Sequence, residues 1–144
     1  MQTGKKRFLY VNSSRRRSEV ESSAEDCFRK VGGQYGIWAI LYNLEALGWR
    51  TRKMGLRESV SPWRLVRFIE EYDPTVIFTY GGLTSLQPML ARRYLTKWRG
   101  PIVHGWDDYY DEIWAACFGL LAGWVMRLVQ YLAIRHSDYI IKIS

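Results

Sequence analysis

A chain of 144 residues suits one domain that buries roughly two-thirds of its unfolded surface, so a core can form without staples. Its two cysteines, Cys27 and Cys117, lie far apart, which argues against a disulfide framework, makes neither a CxxC redox pair nor a zinc site, and fits a reduced, cytoplasmic protein. The net charge of +7 favours an anionic partner and is uneven: residues 1–67 carry 14 Lys and Arg against 6 Asp and Glu, residues 68–144 carry 7 against 8.

The N-terminus, MQTGKKRFLYVNSS, has a basic start but no long apolar run, so no secretory signal is read there. Phe8 to Val11 is a short apolar run closed by Asn12, Ser13 and Ser14, which predicts a first buried strand. Arg15 to Arg17 and the serines and acids through Asp26 predict a long solvated loop, either a surface arm or an arm that closes on an anionic ligand. Gly32 and Gly33 then precede a helix with Ile37, Ile40, Leu41, Leu44 and Leu47 on one stripe and Gly48 as its stop. Paired glycines let backbone approach a ligand closely, and the helix end they open offers free N–H groups to phosphate; a loop that only needs positive φ explains them equally.

Arg50 to Leu56 is a more polar strand suited to a sheet edge. Ser61 and Pro62 give a cap and a first-turn proline for a helix with Leu65, Phe68, Ile69 and Tyr72 in one stripe, ended by Pro74. Val76 to Tyr80 is a third strand, with Gly81 and Gly82 directly after it and Thr84 or Ser85 available to cap the next helix. That helix is expected to turn Leu86, Met89, Leu90 and Tyr94 inward and to leave Arg92, Arg93, Lys97 and Arg99 as a solvated face.

Ile102 and Val103 form a fourth strand that runs into His104, Asp107, Asp108, Asp111 and Glu112. Strand ends that open into polar loops are where open α/β sheets bind ligands. These acids could take a divalent cation or supply a general base, whereas Asp111 and Glu112 are equally explained as stabilisers of a helix N-terminus. His104 reads as well as a hydrogen-bonded core residue as a catalytic one. From Glu112 to Arg135 one long helix is expected. Its uncharged run Ile113 to Met126 is fourteen residues, short of the roughly 20 a spanning helix needs, so it is read as buried or interfacial. Tyr139 to Ile143 is a fifth strand.

Alternating strands and helices predict an α/β fold: a Rossmann-like parallel sheet of about five strands with helices on both faces, three layers, in a single domain over residues 1–144. Neither GxGxxG nor GxxxxGK[ST] nor GxSxG occurs, so dinucleotide binding, P-loop hydrolysis and serine esterase chemistry lack their parts.

Gly32-Gly33 before an amphipathic helix, its closure at Leu47-Gly48-Trp49-Arg50-Thr51, Tyr72-Asp73-Pro74-Thr75-Val76-Ile77, Pro101-Ile102-Val103 and the terminal Ser137-Asp138-Tyr139-Ile140-Ile141-Lys142 succeed one another in a familiar order. In that order the chain resembles, over nearly its whole length, the N-terminal domain of glycosyltransferase family 4, enzymes of GT-B fold. The resemblance implies an acceptor-binding domain for a glycan or lipid-linked acceptor, a nucleotide-sugar donor held mostly by a C-terminal domain or partner subunit, and catalysis without metal or other cofactor. Gly32 and Gly33 would face the donor diphosphate, with Gly81 and Gly82 as further binding positions. The family's usual histidine, six residues after the strand's proline, is replaced by Asp107, which can accept a proton but cannot donate one to phosphate unless protonated. Because the donor would be held mostly by that C-terminal domain or partner subunit, residues 1–144 alone are expected not to turn over. Beside this stand peripheral docking on an anionic membrane, suggested by the basic first half and the tryptophan-rich helix, and a non-enzymatic module for phosphate-rich partners. No specific nucleic-acid fold is recognisable, so nucleic acid is not the expected partner.

Overall fold

A computed structural model describes residues 4, 6–12, 43–55, 59–80, 85–106 and 110–142. Five strands, β1 (Arg7–Asn12), β2 (Arg50–Met54), β3 (Val76–Tyr80), β4 (Ile102–Trp106) and β5 (Tyr139–Lys142), form one sheet in the order β2-β1-β3-β4-β5, and every pair is parallel. The helices are α1 (Pro62–Tyr72), α2 (Leu86–Leu90, continued as a π-helical turn over Ala91–Leu95), α3 (Tyr110–Phe118) and α4 (Leu120–His136). Residues 43–46 are also helical and lead into β2.

Both faces of the central strands are covered, which is why β1 and β3 read as continuous apolar runs rather than alternating ones. Leu9, Ile77 and Ile102 lie side by side in register and are fully buried. They join Leu65 and Ile69 of α1, Met89 of α2 and Ala133 of α4 in the larger core. On the other face Phe8, Tyr10 and Phe78 stack, with ring centroids 6.1 and 5.7 Å apart, beneath Leu44 and Trp49. Fully burying an aliphatic or aromatic side chain of this size contributes about 1.5–3 kcal/mol, so these two layers fix the sheet between its helices. The expected α/β fold with helices on both faces is the fold observed.

At the amino ends of the strands, arginines lace the chain together. Arg7 donates to the Tyr72 carbonyl and lies 5.7 Å from the Tyr72 ring centroid, and the Tyr72 hydroxyl donates to the Arg50 carbonyl at 2.9 Å. Arg92 donates to the carbonyls of Gly100 and His136, each at 3.0 Å, and pairs with Asp138, whose carboxylate also accepts from the Ile102 N–H at 2.8 Å. Arg99 donates to the carbonyls of Arg92, Thr96 and Trp98. The Trp98 indole donates to the Pro74 carbonyl at 2.7 Å and packs so close to Gly100 that a Cβ there would lie 2.3 Å from its ring.

Several sequence expectations change. Arg92, half-buried, belongs to this lacing rather than to a solvated face, because the carbonyls of Gly100 and His136 ahead of β4 and β5 need a donor, whereas Arg93, Lys97 and Arg99 are exposed as expected. Leu90 and Tyr94 turn outward, 48% and 69% exposed; Leu90 ends the regular segment one residue beyond buried Met89, and Tyr94 lies in the π-helical turn that follows. Leu47 is exposed, because the helix over 43–46 has already ended: Gly48 at φ +83° donates to the Glu45 carbonyl and Trp49 to that of Leu44, the paired bonds of a Schellman stop. Ser61 and Ser85 precede their helices but make no side-chain cap bond. The long helix expected from Glu112 to Arg135 is two, α3 and α4, parted at Gly119 with φ +93°. β2 stops at Met54 and β4 extends to Trp106, and β5 is described over Tyr139–Lys142, the last residue of its expected span lying outside the described residues.

Candidate functional site

In a doubly wound sheet, ligands sit outside the carboxyl ends of the strands where the order reverses. Here β1 is followed in the chain by β2 on one side and paired to β3 on the other, so the reversal lies between β1 and β3. Asn12 and Tyr80 end these strands as register partners, and Tyr80 is partnered in turn by Gly105 of β4. With neighbouring strands about 4.8 Å apart, three chain exits leave the sheet within about 10 Å of one another. The first leads in sequence towards Gly32 and Gly33, the second directly into Gly81 and Gly82, the third into Asp107 and Asp108. Those six candidate residues lie outside the described residues.

His104 is described, and it lies beneath this rim. It is 4% exposed, on the same face of the sheet as its register partner Thr79, and its Nδ1 and the Thr79 hydroxyl are hydrogen-bonded at 3.0 Å. Burial drives its pKa down to about 4, so the imidazole is neutral at pH 7. In that form it ties β3 to β4 and sets the position from which the Asp107 segment leaves. The partnership with Thr79 needs two strands that are 25 residues apart, which no local pattern announces.

Two helices start at the rim. Asp111 and Glu112 are the second and third residues of α3, where negative charge suits the positive end of the helix, and Glu112 is exposed. The first turn of α2 brings Gln87, whose Oε1 is buried without a hydrogen-bond partner among the described residues. Gln87 is not among the candidates that the sequence offers; a polar residue in the first helical turn after a glycine pair is the available signal. No group of three or more His, Cys, Asp and Glu able to hold a metal ion occurs among the described residues.

Arg7, Arg92 and Arg99 donate to carbonyls near the amino ends of the strands, the edge opposite this rim. Arg50 and Arg52 are exposed on β2, the outermost strand on its side, where charge also discourages edge-to-edge pairing. None of the described arginines with a carbonyl partner is therefore placed to neutralise a ligand at the rim. No known protein family, curated protein or solved structure matches the chain.

Proposed function

We propose that this chain is the acceptor-binding half of a glycosyltransferase that moves a sugar from a nucleotide-sugar donor to a glycan or lipid-linked acceptor. The observation that carries the reading is the reversal between β1 and β3: the two strands that flank it, and β4 beside them, exit into the segments holding both glycine pairs and the Asp107-Asp108 pair. Glycines at such exits admit a ligand close to backbone N–H groups. In this reading Asp107 is the general base for the acceptor hydroxyl, Asp108 supports it, His104 holds the β4 exit in place, and the donor comes on a further domain or subunit. The protein works at the cytoplasmic side, with no metal in the reaction.

An isotope-labelled NMR titration of the full chain tests this, with a water-soluble prenyl-diphosphate sugar as acceptor probe and UDP-glucose and GDP-mannose as donors. The acceptor probe is expected to shift resonances of Tyr80, Gly105 and Glu112 around the rim, with weak responses to the donors. A response shared by inorganic pyrophosphate and short oligonucleotides, steep in salt and indifferent to the sugar, replaces the reading with a phosphate-binding module.

A further inference from the structure

A surface helix of a globular protein normally turns charged residues to solvent. α4 does not. Its inward positions are Gly123, Met126, Val129 and Ala133, all buried, and the small residues Gly123 and Ala133 bring the helix close to the elements beneath it. Its outward positions are Leu121 at 79% exposure, Trp124 at 69%, Leu128 at 57% and Tyr131 at 56%, flanked by Leu120 and Val125. α3 packs along α4 and adds Ile113 and Phe118, also more than half exposed. Eight large apolar side chains on one helix pair are more than a monomer ordinarily leaves uncovered.

The charged side chains of α4 itself are of one sign, and Glu112 of α3 lies at the edge of the face, in a cavity with Leu120, Trp124 and Arg127. Arg127 lies 5.7 Å from the Trp124 ring centroid and Arg135 donates to the Tyr131 hydroxyl at 3.2 Å. No Asp or Glu occurs from residue 113 to residue 137. Leucines that present a flat apolar stripe, Trp and Tyr with one polar tip, and arginines that can reach outward along them match the chemical gradient of a lipid headgroup layer. A second copy meeting this one α4 stripe against α4 stripe would set Arg127 and Arg135 against themselves with no acid on α4 to pair them. Crossing the bilayer is not available to it: no helix among the described residues is long and apolar enough, and α4 is only about 25 Å long.

We propose that the outward face of α4, with the adjoining part of α3, docks onto an anionic bilayer surface, α4 lying in the headgroup plane. This inference does not depend on the sugar-transfer reading. Should both hold, α4 begins near the carboxyl rim of the sheet, and docking sets that rim at headgroup depth, where a lipid-linked acceptor is presented.

The test is co-sedimentation of the full chain with vesicles of phosphatidylcholine alone and with added phosphatidylglycerol, over a salt series, beside light scattering for oligomeric state. Wild type is expected to sediment preferentially with phosphatidylglycerol and to be released by salt. Arg127→Gln with Arg135→Gln is expected to weaken binding about fivefold per arginine. Leu121→Glu with Leu128→Glu should weaken it more than tenfold, whereas Trp63→Ser on α1 leaves it unchanged. Circular dichroism checks the fold of each variant; if the glutamate pair unfolds, the arginine pair and the wild-type salt series decide. No sedimentation, equal binding to both vesicles without salt dependence, or undiminished binding by the arginine pair overturns the proposal. A wild-type dimer that the glutamate pair dissociates reassigns the face to a second copy.

Discussion

His104 and Asp138 give the folded state its response to acid. The folded pKa of His104, about 4, lies below its ordinary 6.5, so between these values the unfolded chain binds more protons and stability falls as pH falls. The full contribution is present above pH 6.5, and the loss across the window is about 3 kcal/mol. Urea midpoints measured from pH 7 to pH 4 should fall steadily for wild type and much less for His104→Gln. For Asp138, burial pushes the carboxyl up, but the Ile102 N–H and Arg92 outweigh it and hold the pKa below the ordinary value, so its stabilisation is lost only in stronger acid. Arg92 is the more exacting residue, because one guanidinium serves two carbonyls and a carboxylate. Arg92→Ala is expected to cost about 2–3 kcal/mol, and Arg92→Lys to recover little, since an ammonium lacks the planar fork that reaches all three acceptors. Thermal unfolding followed by circular dichroism distinguishes these outcomes.

Two departures from regular helix geometry explain why periodicity misleads at the level of elements. In α2 the π-helical turn, closed by the Thr96 N–H on the Ala91 carbonyl at 2.9 Å, interrupts the 3.6-residue period over Ala91–Leu95, so a stripe counted through Leu86, Met89, Leu90 and Tyr94 is not the buried one. Between α3 and α4, Gly119 at φ +93° breaks an apolar run with no proline to mark the break. At φ +93° and ψ 170° Gly119 occupies backbone space that is essentially glycine-only, and Gly119→Ala should lower stability by about 1–3 kcal/mol, read as a shifted urea midpoint with unchanged slope. The strands are far more legible. β1 and β3 carry unbroken apolar runs because both their faces are covered, and β2 is polar because it lies at an edge.

For the molecule as a whole, the sheet order brings to one rim the ends of β1, β3 and β4, which the sequence scatters over residues 12 to 106. The proposed sugar-transfer reading is tested there by Asp107→Asn, assayed with a donor-binding domain or subunit that supports transfer by wild type. A general base at that position makes turnover fall at least about a hundredfold, with acceptor binding little changed. Unchanged turnover makes Asp107 a helix-opening acid and leaves the rim without a base. The positive charge of the first half reads as a sign of an anionic partner, yet Arg7 is engaged with the Tyr72 carbonyl. A charge count cannot show which cations the backbone has already occupied.

The sequence by itself determined the α/β class, the five strands and where most of them start, because apolar runs between glycine, proline and asparagine signals, and for β2 a polar run after a glycine helix stop, are local facts. It also identified the glycine pairs and the acids as candidates. Only the tertiary structure decided that the exits of β1, β3 and β4 are neighbours, that His104 and Thr79 meet, and that Arg92 holds the entry of β5. It alone showed that the apolar face of α4 points away from the core. Each of these is a pairing of segments distant in the chain, made by how helices pack on a sheet, and no window of sequence contains both partners.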